Sequence, residues 1–69
     1  KIEKLYLRKN NLASIENFLF SRFVNLKELH LGFNELGVIK TASFGNLAKL
    51  EKLDLSGNAI LSIENNAFN

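Results

Sequence analysis

A chain of 69 residues with nine Lys or Arg against seven Asp or Glu carries a net charge of +2, a balance too even to argue for nucleic acid or an anionic membrane surface as partner. No apolar run reaches the about 18 residues that a bilayer-spanning helix needs, and a chain without cysteine holds neither disulfides nor thiolate chemistry. What is left is one small domain at most.

The dominant pattern is a period of 24 residues. The first unit carries Ile2, Leu5, Leu7, Asn10, Leu12, Ile15, Phe20 and Phe23. The second repeats the template with Leu26, Leu29, Leu31, Asn34, Leu36, Ile39, Phe44 and Leu47. The third has Leu50, Leu53, Leu55, Asn58, Ile60, Ile63 and Phe68. These divide the chain into units 1–25, 26–49 and an incomplete 50–69. A fixed repeat in this range predicts stacked, near-identical coils, so the expected fold class is an α/β solenoid. The chain lacks Met, stops inside a unit and carries no polar or disulfide-stapled cap; it reads as an uncapped segment of a longer protein.

Within each unit the apolar residues first alternate, in Leu5-Tyr6-Leu7, Leu29-His30-Leu31 and Leu53-Asp54-Leu55. Period two predicts short half-buried strands, and their common register predicts a parallel sheet with the leucines inward. At the strand exit, Asn10, Asn34 and Asn58 form a column whose amides, donor and acceptor together, can satisfy backbone groups that have left the ladder. They are predicted to stack as a structural ladder rather than to bind a ligand. The second half of each unit is less regular. The spacing of Ile39, Phe44 and Leu47 suits a bend followed by one helical or 3₁₀ turn, and Asn25-Leu26 and Asn46-Leu47 supply turn chemistry. Phe20, Phe44 and Phe68 are predicted to stack as an aromatic spine in the core. Phe18, Leu19 and Leu61 are expected to pad gaps between coils.

Written as a template, L-x-x-L-x-L-x-x-N-x-L-x-x-I-x-x-x-x-F-x-x-L, the units resemble the leucine-rich repeat, in its 24-residue class with phenylalanine in the convex part. The resemblance covers the whole chain, Phe23 in place of Leu47 being a tolerable apolar exchange. It implies a right-handed superhelix, a horseshoe segment with short parallel strands on its concave face and irregular or 3₁₀ turns on its convex face. The class resembles that of Toll-type receptors of innate immunity, adhesion and guidance receptors, small matrix proteoglycans and jawless-vertebrate antigen receptors. That implies an extracellular or cell-surface setting, with an intracellular one still open.

Outward strand positions are not fixed by the fold and are free to serve recognition. The columns Lys4, Glu28, Lys52 and Glu3, Lys27, Glu51 alternate in sign, which is expected to give mutual charge satisfaction worth about 0.2–1 kcal/mol per adjacent pair. Tyr6, His30 and Asp54 place a phenol, an imidazole and a carboxylate in one column, with amphipathic character suited to binding. The alternative to binding there is a local hydrogen-bonded ladder in which His30 neighbours Asp54. Phe33, beside Gly32 and Gly57, is placed where a partner has room to approach, or else packs sideways on Leu31 or Leu36. Together with Arg8 and Lys9 these define a candidate ligand-binding set of Tyr6, Arg8, Lys9, His30, Phe33 and Asp54.

No catalytic residue, metal site or cofactor is expected: the acid–base groups lie on an open face, and no phosphate loop, metal spacing or nucleophile motif occurs. The leading expectation is a non-enzymatic module binding a protein ligand, without nucleic acid or membrane contact by this segment. The alternative is a set of structural spacer repeats whose scaffold makes its contacts elsewhere. End-to-end self-association of the uncapped piece is a further expectation.

Overall fold

The computed structural model describes residues 1–16, 19–45 and 47–68. Five short strands follow in chain order: β1 (Lys4–Tyr6), β2 (Glu28–His30), β3 (Val38–Ile39), β4 (Lys52–Asp54) and β5 (Ser62–Ile63). Strands β1, β2 and β4 pair in that order in one parallel sheet. Lys4 lies opposite Glu28 and Glu28 opposite Lys52, Leu5 opposite Leu29 and Leu29 opposite Leu53, and Tyr6, His30 and Asp54 follow suit. The pairing register is therefore the 24-residue period itself. Hydrogen bonding runs on beyond the strands: Leu7 and Lys9 donate their N–H groups to the carbonyls of His30 and Gly32, at 2.8 and 3.0 Å. Leu31 and Phe33 donate in the same way to Asp54 and Ser56, both at 2.8 Å.

A second sheet, of β3 and β5, has no counterpart in the sequence-based expectation. Val38 pairs with Ser62 and Ile39 with Ile63, in parallel, and the pair is extended on either side by Leu61 N–H to Gly37 and Glu64 N–H to Ile39, both 2.7 Å. Branched residues at Val38, Ile39 and Ile63 favour the extended chain, and the coil spacing sets two such stretches side by side. No helix occurs among the described residues. The expected turns occur singly, closed by i→i+3 bonds of the 3₁₀ kind such as Phe23 N–H to Phe20, Leu26 N–H to Phe23, Ser43 N–H to Lys40 and Leu50 N–H to Leu47. Asn46, assigned a turn role from sequence, lies outside the described residues, as does Phe18.

The core belongs mainly to the middle coil. Leu26, Leu29, Leu31, Leu36, Ile39 and Phe44 are buried, joined by Ile15 and Phe20 from the first coil and Ala67 from the third. Each full side-chain burial contributes about 2 kcal/mol. The matching residues of the outer coils, Leu5, Leu7, Leu12, Leu50, Leu53, Leu55 and Ile60, are only partly buried against this cluster. Among the described residues, the middle coil is the one flanked by a coil on each side. The rings of Phe20 and Phe44 lie 6.4 Å apart and those of Phe44 and Phe68 5.3 Å apart, near parallel at 6° and 16°; Phe68 remains 52% exposed. Leu19 and Leu61, expected to fill gaps, are instead 50% and 88% exposed. Each adjoins a residue that turns inward, Phe20 or Ile60, so its own side chain faces away. Ser43 is buried without having been anticipated, and ties its turn to the coil before: it accepts from Lys40 N–H at 3.1 Å and donates to the Ile15 carbonyl at 3.0 Å.

Candidate functional site

The asparagine column fixes where the strands end. Asn34 Nδ2 donates to the carbonyls of Leu31 in its own coil (2.9 Å) and Leu7 in the coil before (3.0 Å), while Oδ1 accepts from the N–H groups of Asn10 (2.8 Å) and Leu12 (3.1 Å). Asn58 repeats this one coil later, donating to Leu55 and Leu31, both at 3.0 Å, and accepting from Leu36 N–H. The amides thus bond backbone rather than one another, each reaching one coil back. The Asn10 side chain, in the first coil, donates to the Arg8 carbonyl at 3.1 Å.

These anchored exits force the neighbouring column through a left-handed turn. Lys9, Phe33 and Gly57 have φ of 61°, 57° and 73°. Glycine adopts this at no steric cost, whereas for a bulky residue such as phenylalanine it is an outlier. The turn sends the Phe33 ring across Gly57, where a built Cβ would come within 2.6 Å of it. The space at Gly57 is therefore taken by Phe33, so that side of the ring does not stand open to a partner. On its other side the Arg8 guanidinium lies over the ring, 4.6 Å from the centroid, a cation–π geometry. Phe33 stays 49% exposed.

The middle column brings Tyr6 and His30 together as a stacked pair, 4.6 Å between centroids and 13° between planes. No hydrogen bond or ion pair joins His30 to Asp54. His30 Nε2 lies 3.0 Å from Glu28 Oε1, and because a carboxylate can only accept, the ring nitrogen donates. Residues 28 and 30 project from the same face of one strand, and the longer glutamate reaches the ring. Asp54 turns to its own strand exit, its Oδ1 accepting from Ser56 N–H at 3.0 Å and Ser56 Oγ at 2.7 Å, the local aspartate turn. Both carboxyls titrate low. The His30 hydrogen bond leads for Glu28, opposed by desolvation, with the charges of Lys4 and Lys52 adding to it. The Ser56 N–H and hydroxyl lead for Asp54, opposed by desolvation, with His30 and Arg8 adding charge.

Of the alternating charge columns, only Lys4 and Glu28 meet among the described residues, at a loose 3.9 Å with the lysine mostly exposed; such a pair is worth little. Lys27 forms no ion pair with Glu3 or Glu51. In that column the backbone makes the link instead: Lys27 N–H donates to the Glu3 carbonyl at 2.7 Å and Glu51 N–H to the Lys27 carbonyl at 2.8 Å. The described surface has no pocket and no group of residues placed to hold a metal ion, and no helix is long and apolar enough to cross a membrane. The face offers stacked rings, a guanidinium and lysines on an open sheet.

A family model described as "Leucine rich repeat" matches residues 1–60. Among curated proteins, the Leucine-rich repeat-containing G-protein coupled receptor 5 of Rattus norvegicus is 37% identical over 62 residues, covering 90% of this chain and 7% of the receptor. The Leucine-rich repeat-containing protein 3B of Homo sapiens and that of Mus musculus are each 41% identical over 66 residues, covering 94% of this chain and 26% of the relative. The chain thus spans a small part of the proteins it is similar to. No solved structure matches.

Proposed function

The chain belongs to the leucine-rich repeat family, and on that premise we propose that it holds a protein ligand on the face of its three-stranded sheet, the concave face of a larger repeat array. That it is a protein-interaction repeat module follows from the family and its relatives. Binding on this face is supported chiefly by the pre-ordered pairs there, Tyr6 stacked on His30 and Arg8 over Phe33. Rings and guanidinium groups already held in place lose little freedom on binding, and these residue types dominate binding energy. The contact set is Tyr6, Arg8, Lys9, His30, Phe33 and Asp54, and the role is non-enzymatic. A cell-surface or extracellular setting is part of the proposal, supported by the receptor named among the relatives.

The test is a panel of purified cell-surface and secreted proteins presented to the full chain and to a variant with alanine at those six positions. Saturable binding to a panel member, weakened more than about tenfold in the variant with thermal stability kept, supports the reading. Binding unchanged in the variant would overturn it and leave the repeats as spacers.

A further inference from the structure

Resting on that reading, we propose that the first-coil end of this face, centred on Arg8, is built to take an acidic segment of the protein partner, with a carboxylate bound at the guanidinium edge and an apolar side chain beside it. Positive charge is left over at this end of the face. Of the face's two acids, Glu28 is engaged by His30 at 3.0 Å and approached by Lys4, and Asp54 by the two bonds from Ser56. Arg8 and Lys9 have no ion-pair partner within 4.0 Å among the described residues.

Arg8 is also pre-positioned. Its guanidinium carbon lies over the Phe33 ring, 4.6 Å from the centroid, and its edge of N–H donors has no acidic partner among the described residues. That edge matches a carboxylate bidentately. Phe33 is itself fixed by φ of 57° and by the space over Gly57, so the platform exists before any partner arrives. Tyr6, two residues before Arg8 and exposed on the same sheet face, supplies apolar surface and a hydroxyl alongside. A polyanionic glycan or nucleic acid fits less well: its repeated charges would run on toward Glu28 and Asp54 in the adjoining coils. An acidic residue next to an apolar one in a peptide meets the cation and the ring without that repulsion.

The probe is the blocked peptide acetyl-Gly-Asp-Leu-Gly-amide, against its Asn isostere, titrated into the ¹⁵N-labelled full chain. The expected result is saturable shifts of the Arg8 side-chain N–H and the Lys9 amide, with the isostere binding about tenfold more weakly. Arg8→Lys should weaken binding, because an ammonium neither stacks nor bonds bidentately, and Phe33→Leu should weaken it while the amide spectrum keeps its dispersion. Equal binding of the isostere, shifts spread evenly over Lys27 and Lys52, or tighter binding of a heparin tetrasaccharide at Arg8 would each overturn the proposal. It fails separately from its parent: a panel partner lost in the six-site variant but kept by Arg8→Ala sinks the acidic-segment inference alone.

Discussion

Phe33 and Gly57 are one repeat apart, and the ring of one takes the space that the other leaves. Gly57→Ala imposes both a strained left-handed alanine and a clash with that ring. The expected loss is about 1–2 kcal/mol from the backbone alone, together with release of Arg8, read by thermal unfolding and by the Arg8 side-chain signal. Lys9, at φ of 61° in the same column, makes the converse case, and Lys9→Gly should stabilise by about 1 kcal/mol. Among the asparagines, Asn34→Ala leaves the carbonyl of Leu7 and the N–H groups of Asn10 and Leu12 without their partner. Its cost should be about 3 kcal/mol, against about 1 kcal/mol or less for the exposed Asn10→Ala; denaturant unfolding of the two variants checks the contrast. For Glu28 the sign follows from its lowered pKa. The folded state prefers the charged form, so its stabilising contribution is complete above the ordinary value of 4.5 and is lost as pH falls through the lowered one. Stability measured from neutral to acid pH should therefore fall less in Glu28→Gln than in the parent chain.

The strands of the larger sheet were legible because alternation and register repeat three times, at Leu5, Leu29 and Leu53. The β3–β5 pair was not, since two residues per strand show no alternation and the pairing exists only between neighbouring coils. Residue pattern likewise identified the outward column of Tyr6, His30 and Asp54 but not which groups within it would meet. His30 could reach an acid along its own strand or across to the next, and side-chain length, with the competing Ser56 donors, decided for Glu28. The left-handed column was hidden behind Lys9 and Phe33, residues that do not advertise positive φ as Gly57 does. Ser43 shows how a small polar residue at a turn escapes an apolar template. Ser43→Ala would remove the bonds to Ile15 and Lys40 in a buried turn, at about 1–3 kcal/mol.

Across the whole molecule, burial falls from the middle coil outward, and Leu61, Ile63 and Phe68 stay exposed on the third coil. A second copy continuing the stack in register would bury some of this surface, yet it would set Lys4 beside Lys52 and Glu3 beside Glu51 at a strand spacing of about 4.8 Å. Self-association should therefore be weak at low salt and strengthen near 1 M salt, where the Debye length shrinks to about 3 Å; weakening with salt in sedimentation would exclude the in-register stack. The backward reach of Asn34 and Asn58 has a mechanical consequence. Each seam between coils is closed by ladder bonds and one amide that grips the backbone on both sides, so under tension a seam gives way as a unit. Every coil of 24 residues let go in this way adds about 80 Å of extensible chain, and the molecule should lengthen under load in steps of that size rather than smoothly.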